Sequence, residues 1–141
     1  MRILSLDVGD RRIGAAVSDP TGLMATPLTT VRRRDLSSDI GAVLRLAAES
    51  EAVEIVVGMP FSLSGHTGPQ AKRVASFIEA LSAQTSLPIT AVDERFSTLE
   101  AERLLREAGA KPSRNKDLVD ASAAAVILQT YLDSRRATPA P

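Results

Sequence analysis

Hydrophobic residues recur along this chain with two different spacings. In the opening Met1-Arg-Ile-Leu-Ser-Leu-Asp7 they form a short run of the kind that builds a buried strand, ending on a carboxylate. Val8-Gly-Asp-Arg-Arg12 reads as a turn, and Ile13, Ala15 and Val17 then alternate with Gly14, Ala16 and Ser18 as a second strand. Asp19-Pro-Thr-Gly22 is another turn, followed by an extended segment around Met24–Val31. Turns this short join antiparallel neighbours, because parallel ones need a long crossover.

The spacing then changes. Ile40, Val43, Leu44 and Ala47 fall at i, i+3, i+4 and i+7, one face of a helix over about Leu36 to Ser50. Val53–Val57 is a run of strand formers closed by Gly58-Met-Pro60, and Val74, Phe77, Ile78 and Leu81 repeat the helical stripe. Pro88-Ile-Thr-Ala-Val92 is a fifth strand running into Asp93-Glu94, and Ala101, Leu104, Leu105 and Ala108 mark a third helix that Gly109 ends. A final helix is expected from about Asp117 to Asp133, apolar nearly all round over Ala123–Leu128 and therefore buried against the sheet. The pattern predicts an α/β domain over residues 1–133, a five-stranded mixed sheet with three antiparallel strands first, parallel strands after them and helices on both faces. Residues 134–141 read as a flexible tail.

Composition narrows the function. A chain of 141 residues holds one core, and 17 Lys+Arg balance 17 Asp+Glu, so an anionic partner must meet a local basic patch rather than a globally basic surface. The absence of Cys removes disulfides, thiolate nucleophiles and Cys-based zinc sites, and the single His66 leaves little basis for a Ser-His-Asp triad. No apolar run approaches the ~20 residues of a spanning helix, and a strand stands where a signal peptide would, so no membrane role and a cytoplasmic address are expected.

Three carboxylates stand where no core needs them: Asp7 at the end of the first strand, Glu94 (beside Asp93) just past the fifth, and Asp120 early in the last helix. Ligands of open sheets collect outside the strand C-termini, so the first two share an edge, and a helix crossing that edge brings Asp120 to it. With no Lys or Arg evident between them, the three repel one another unless a divalent cation intervenes. An all-oxygen set without His or Cys suits Mg²⁺ or Mn²⁺, and two such ions assist phosphodiester hydrolysis.

Four blocks of this sequence, Leu6-Asp-Val-Gly-Asp-Arg-Arg-Ile-Gly-Ala-Ala-Val-Ser-Asp19, Ile55-Val-Val-Gly-Met-Pro60, Asp93-Glu-Arg-Phe-Ser-Thr98 and Val119–Leu132, resemble the YqgF/RuvX family of Holliday junction resolvases and pre-16S rRNA nucleases. The resemblance runs in order through nearly the whole chain, with Met59 where Leu is usual and Ser64 where an Asp is common. It implies an RNase H-like fold and a Mg²⁺-dependent nuclease whose catalytic and metal-binding acids are Asp7, Glu94 and Asp120. It also selects Glu94 over Asp93, whose side chain should point to the opposite face.

Most of the arginines and lysines, including Arg11, Arg12 and Arg32–Arg34, read as a solvated surface. Arg95, Ser97, Thr98 and Lys116 are the candidate nucleic-acid contacts, and the polar Phe61–Gln70 loop suits a clamp over a strand of structured RNA or branched DNA. A homodimer would present two such sites to a four-way junction. The competing expectations are a phosphotransferase, since Asp7–Gly14 also resembles the first phosphate loop of sugar kinases and actin, and a non-catalytic nucleic-acid-binding protein.

Overall fold

A computed structural model describes residues 1–60, 68–93 and 116–137 of the chain. The elements are β1 (Arg2–Val8), β2 (Arg12–Ser18), β3 (Ala25–Arg32), α1 (Leu36–Glu49), β4 (Ala52–Met59), α2 (Pro69–Ser82), β5 (Ile89–Asp93) and α3 (Lys116–Ala137). The strands form one sheet in the order β3-β2-β1-β4-β5, antiparallel on the β1–β2–β3 side and parallel from β1 through β4 to β5. This is the mixed sheet that the hydrophobic pattern predicts. The helix expected over Ala101–Ala108, and the part of the polar loop before Gly68, lie outside the described residues.

Side chains alternate between the faces of a strand, and the sheet uses both. Leu4, Leu6, Val8, Ile13, Ala15, Ile55 and Val57 point to one face and bury against Ile40, Val43 and Ala47 of α1 and Val74, Phe77 and Leu81 of α2. Ile3 and Val56 point to the other, where Ile127, Leu128 and Leu132 of α3 cover them. Burying that second face explains why α3 is apolar nearly all round: Ala121–Ala124, Ile127, Leu128 and Leu132 are all withdrawn from water.

α3 continues four residues beyond the expected end at Asp133, to Ala137. Arg135 stacks on Tyr131 and pairs with Glu54 of β4, whose carboxylate also accepts from the Tyr131 hydroxyl at 2.6 Å and the Thr90 hydroxyl at 2.9 Å. Basic residues at a helix C-terminus also oppose its dipole, so the extra turn has local support that apolar periodicity does not reveal. Among the described residues, no helix is long and apolar enough to cross a membrane.

Candidate active site

Asp7 occupies the same row of β1 as Ile3 and Ser5, the row that faces α3. Ser5 is fully buried and donates from its Oγ to the Ala124 carbonyl of α3 at 2.7 Å. Two residues further along the strand is about 6.6 Å, and one turn back along the helix is about 6 Å, so the next strand position on this face meets the next turn of α3. Those positions are Asp7 and Asp120.

Gly14 makes this meeting possible. It is the cross-strand partner of Asp7, and a β-carbon at Gly14 would stand 2.1 Å from the Asp120 carbonyl oxygen. Only a residue without a side chain lets α3 lie this close to β2 beside the Asp7 carboxylate. The small Ala16 of β2 and Ala124 of α3 are both fully buried.

The two acids line one open cavity of about 290 Å³ together with Gly9, Asp10, Arg11 and Arg12. Arg12 donates from Nε to Asp120 Oδ2 at 2.7 Å, with both side chains about a quarter exposed. The pair overturns two sequence-based expectations: an arginine does stand beside one of the acids, and Arg12 is not a solvated surface residue. The sequence carries the signal in the adjacent Arg11-Arg12, but only the path of α3 over β2 identifies which arginine turns inward.

Arg33 departs from the solvated-surface expectation too. Its Nε reaches the buried Asp39 at 2.9 Å, its Nη1 donates to the Gly9 carbonyl at 2.9 Å, and its guanidinium lies 5.4 Å from the Phe77 ring centre. It thereby fixes the β1–β2 turn that forms one wall of the cavity.

The C-terminal ends of β1, β4 and β5 lie at one edge of the sheet, as parallel pairing requires. Asp93 closes β5 opposite Met59 and is exposed. Val92 belongs to the α3 face, so alternation turns Asp93 to the face opposite that of Asp7. Glu94, Arg95, Ser97 and Thr98 lie outside the described residues, and Lys116 is the first residue of α3. Among the described residues no three potential metal-ligating side chains gather. Asp10 and Asp19 are turn residues, as their positions predict: Asp19 accepts from the Leu23 and Met24 amides at 2.9 Å and from the Thr21 hydroxyl, and the Met24 bond above all holds its carboxyl well below the usual carboxylate range.

The sheet order and the helix crossing it define an RNase H-like fold. The Thermus thermophilus RuvC structure in complex with a Holliday junction substrate matches the fold with a TM-score of 0.60 at 19% identity, covering 96% of each chain. The family model described as "RuvX: Holliday junction resolvase" matches residues 1–134, so the chain belongs to the RuvX family, a family of nucleases. Similar curated proteins include two named "Putative pre-16S rRNA nuclease": one from Symbiobacterium thermophilum, 46% identical over 139 residues, covering 99% of this chain and 96% of the relative, and one from a Synechococcus strain, 46% identical over 133 residues, covering 94% and 89%.

Proposed function

We propose that this protein is a divalent-metal-dependent nuclease that hydrolyses phosphodiester bonds in structured nucleic acid, with 5′-end processing of pre-16S rRNA in the cytoplasm as its cellular role. The observation that carries this reading is the delivery of Asp7 and Asp120, 113 positions apart in sequence, to one open cavity at the C-terminal edge of the sheet. Glu94, which the family resemblance marks and which follows Asp93 on the opposite face of β5, is the third acid of the set.

The donor chemistry fits a hard cation. Every candidate ligand is a carboxylate oxygen, the donor type that Mg²⁺ and Mn²⁺ prefer. Asp7, Asp120 and Glu94 would hold Mg²⁺ or Mn²⁺. When bound, the ions supply an activated water and stabilise the departing oxygen of the phosphodiester. The chain's own contribution is placement. β1 fixes Asp7, the packing of α3 on Gly14 fixes Asp120, and Arg12 orients the Asp120 carboxylate and supplies positive charge where a phosphate would approach. Arg95, Ser97, Thr98 and Lys116 would hold neighbouring phosphates.

The test uses a labelled pre-16S rRNA 5′ leader and a labelled four-way DNA junction, each with Mg²⁺, Mn²⁺ or EDTA. Metal-dependent cleavage that disappears in Asp7→Asn is the expected result. Preference for the junction would make resolution the activity. Band shifts without cleavage under every metal would identify a binding protein and overturn the proposal.

A further inference from the structure

A second, larger cleft opens beside the acidic cavity and shares Asp10, Arg11 and Arg12 with it. It encloses about 580 Å³ and is lined by six arginines against three aspartates, a strong local excess of positive charge in a chain with no net charge. Three of these arginines are committed within the fold: Arg12 to Asp120, Arg33 to Asp39 and Arg73 to Asp10. Arg34 lies beside Asp35, whose carboxyl is lowered above all by the Ser38 amide and further by the Arg34 charge. Arg11 and Arg32 are exposed and, among the described residues, have no carboxylate partner.

The placement of these charges is fixed by backbone pairing rather than by chance of rotamer. Arg12 and Arg32 are direct cross-strand partners in the β2–β3 ladder, and the Arg33 amide donates to the Arg11 carbonyl at 2.9 Å. Like charges set directly opposite one another on adjacent strands are destabilising. Asp120 offsets the charge of Arg12, so Arg32 is the member of the pair left for an outside anion to meet.

From this cleft we infer that Arg11 and Arg32, with Arg34 also on its lining, form a track for the sugar–phosphate backbone of the nucleic-acid strand leading into the Asp7–Asp120 cavity. The inference rests on the nuclease reading and adds the path of the strand. Guanidinium groups suit it, because each presents a planar fork of donors to phosphate oxygens. Two arginines touching phosphates confer position and charge neutralisation but no base readout, so binding along the track is independent of sequence.

Binding is measured in EDTA, where no cleavage occurs, on a single-stranded RNA oligomer and on a four-way DNA junction, as a function of salt. Neutralising two phosphate contacts lowers the slope of log affinity against log salt by about 1.4 on single-stranded RNA and about 1.8 on duplex arms. The double variant R11Q/R32Q should lose that much slope and about tenfold in affinity on whichever nucleic acid uses the track. R11K/R32K should recover most of the slope, and R45Q, on α1 away from the cleft, should leave both quantities unchanged. Thermal unfolding of R11Q/R32Q should match that of the parent, since both side chains are exposed. Parental affinity and slope in R11Q/R32Q on both nucleic acids would overturn the track, even if the parent protein cleaves and Asp7→Asn does not. Loss of slope in a protein that never cleaves would sustain the track and overturn the nuclease reading instead. A protein that binds neither nucleic acid overturns the track.

Discussion

Two aspartate–arginine pairs in this molecule are built from the same atoms and serve different ends. Arg33 Nε meets Asp39 Oδ2 at 2.9 Å, and Arg12 Nε meets Asp120 Oδ2 at 2.7 Å. Asp39 is buried, and its second oxygen accepts the Arg34 amide at 2.9 Å, so both oxygens are engaged inside the β3–α1 connection. Asp120 keeps a quarter of its side chain in an open cavity beside a second carboxylate. Distance therefore does not distinguish a structural ion pair from a functional one. Burial, and what else faces the carboxylate, does.

The comparison can be broken most severely at Asp39. Asp39→Ala leaves the Arg33 guanidinium half-buried without its partner and should cost about 3–5 kcal/mol, read as a shift in the denaturant midpoint. Asp120→Ala, by contrast, removes a partly solvated pair and should change stability by under about 1 kcal/mol. Equal losses at the two positions would erase the distinction.

For chemistry the order reverses. Asp120→Asn keeps the size of the side chain but removes its charge, and should lower the cleavage rate by about 100-fold or more. A rate within about threefold of the parent would remove Asp120 from the site.

Much of this was legible from the sequence, and the reasons are local. Strand alternation and helical stripes are properties of neighbouring residues, so the five strands and the helices α1, α2 and α3 follow from the hydrophobic pattern alone. Asp7 and Asp120 stand out because each ends or interrupts an apolar stretch that has no use for a charge. The roles of Arg12 and Arg33 are not local. Each depends on a partner delivered by a different element, and a run of arginines looks solvated until the path of the chain is known. Gly14 is a similar case. Its spacing marks a strand, but only the approach of α3 explains why no side chain is tolerated.

Gly14 gives the next sharpest test. Gly14→Ala forces a methyl group against the Asp120 carbonyl and should cost about 1–3 kcal/mol while shifting Asp120 away from Asp7. Cleavage should fall by more than the stability loss explains, measured at a temperature where the variant remains folded. Parental rate and stability together would show that the close approach does not set the site.

The smallest effect is expected at Asp19, a half-buried acid that closes the β2–β3 turn away from the cavity. The amide and hydroxyl donors that lower its carboxyl favour the charged form in the folded state. Its contribution to stability is therefore present above the unfolded value near about 4 and is lost as pH falls towards the lower folded value. Asp19→Asn should lower Tm slightly at pH 6, and the difference should shrink towards pH 2. A constant difference across that range would assign the effect to packing rather than charge.

Manganese binding, followed by the loss of the free-ion electron paramagnetic resonance signal, addresses the shared site most directly. The parent protein and Asp19→Asn should bind the ion equally, whereas Asp7→Asn and Asp120→Asn should each bind at least about tenfold more weakly. Undiminished manganese affinity in both cavity variants would contradict the account.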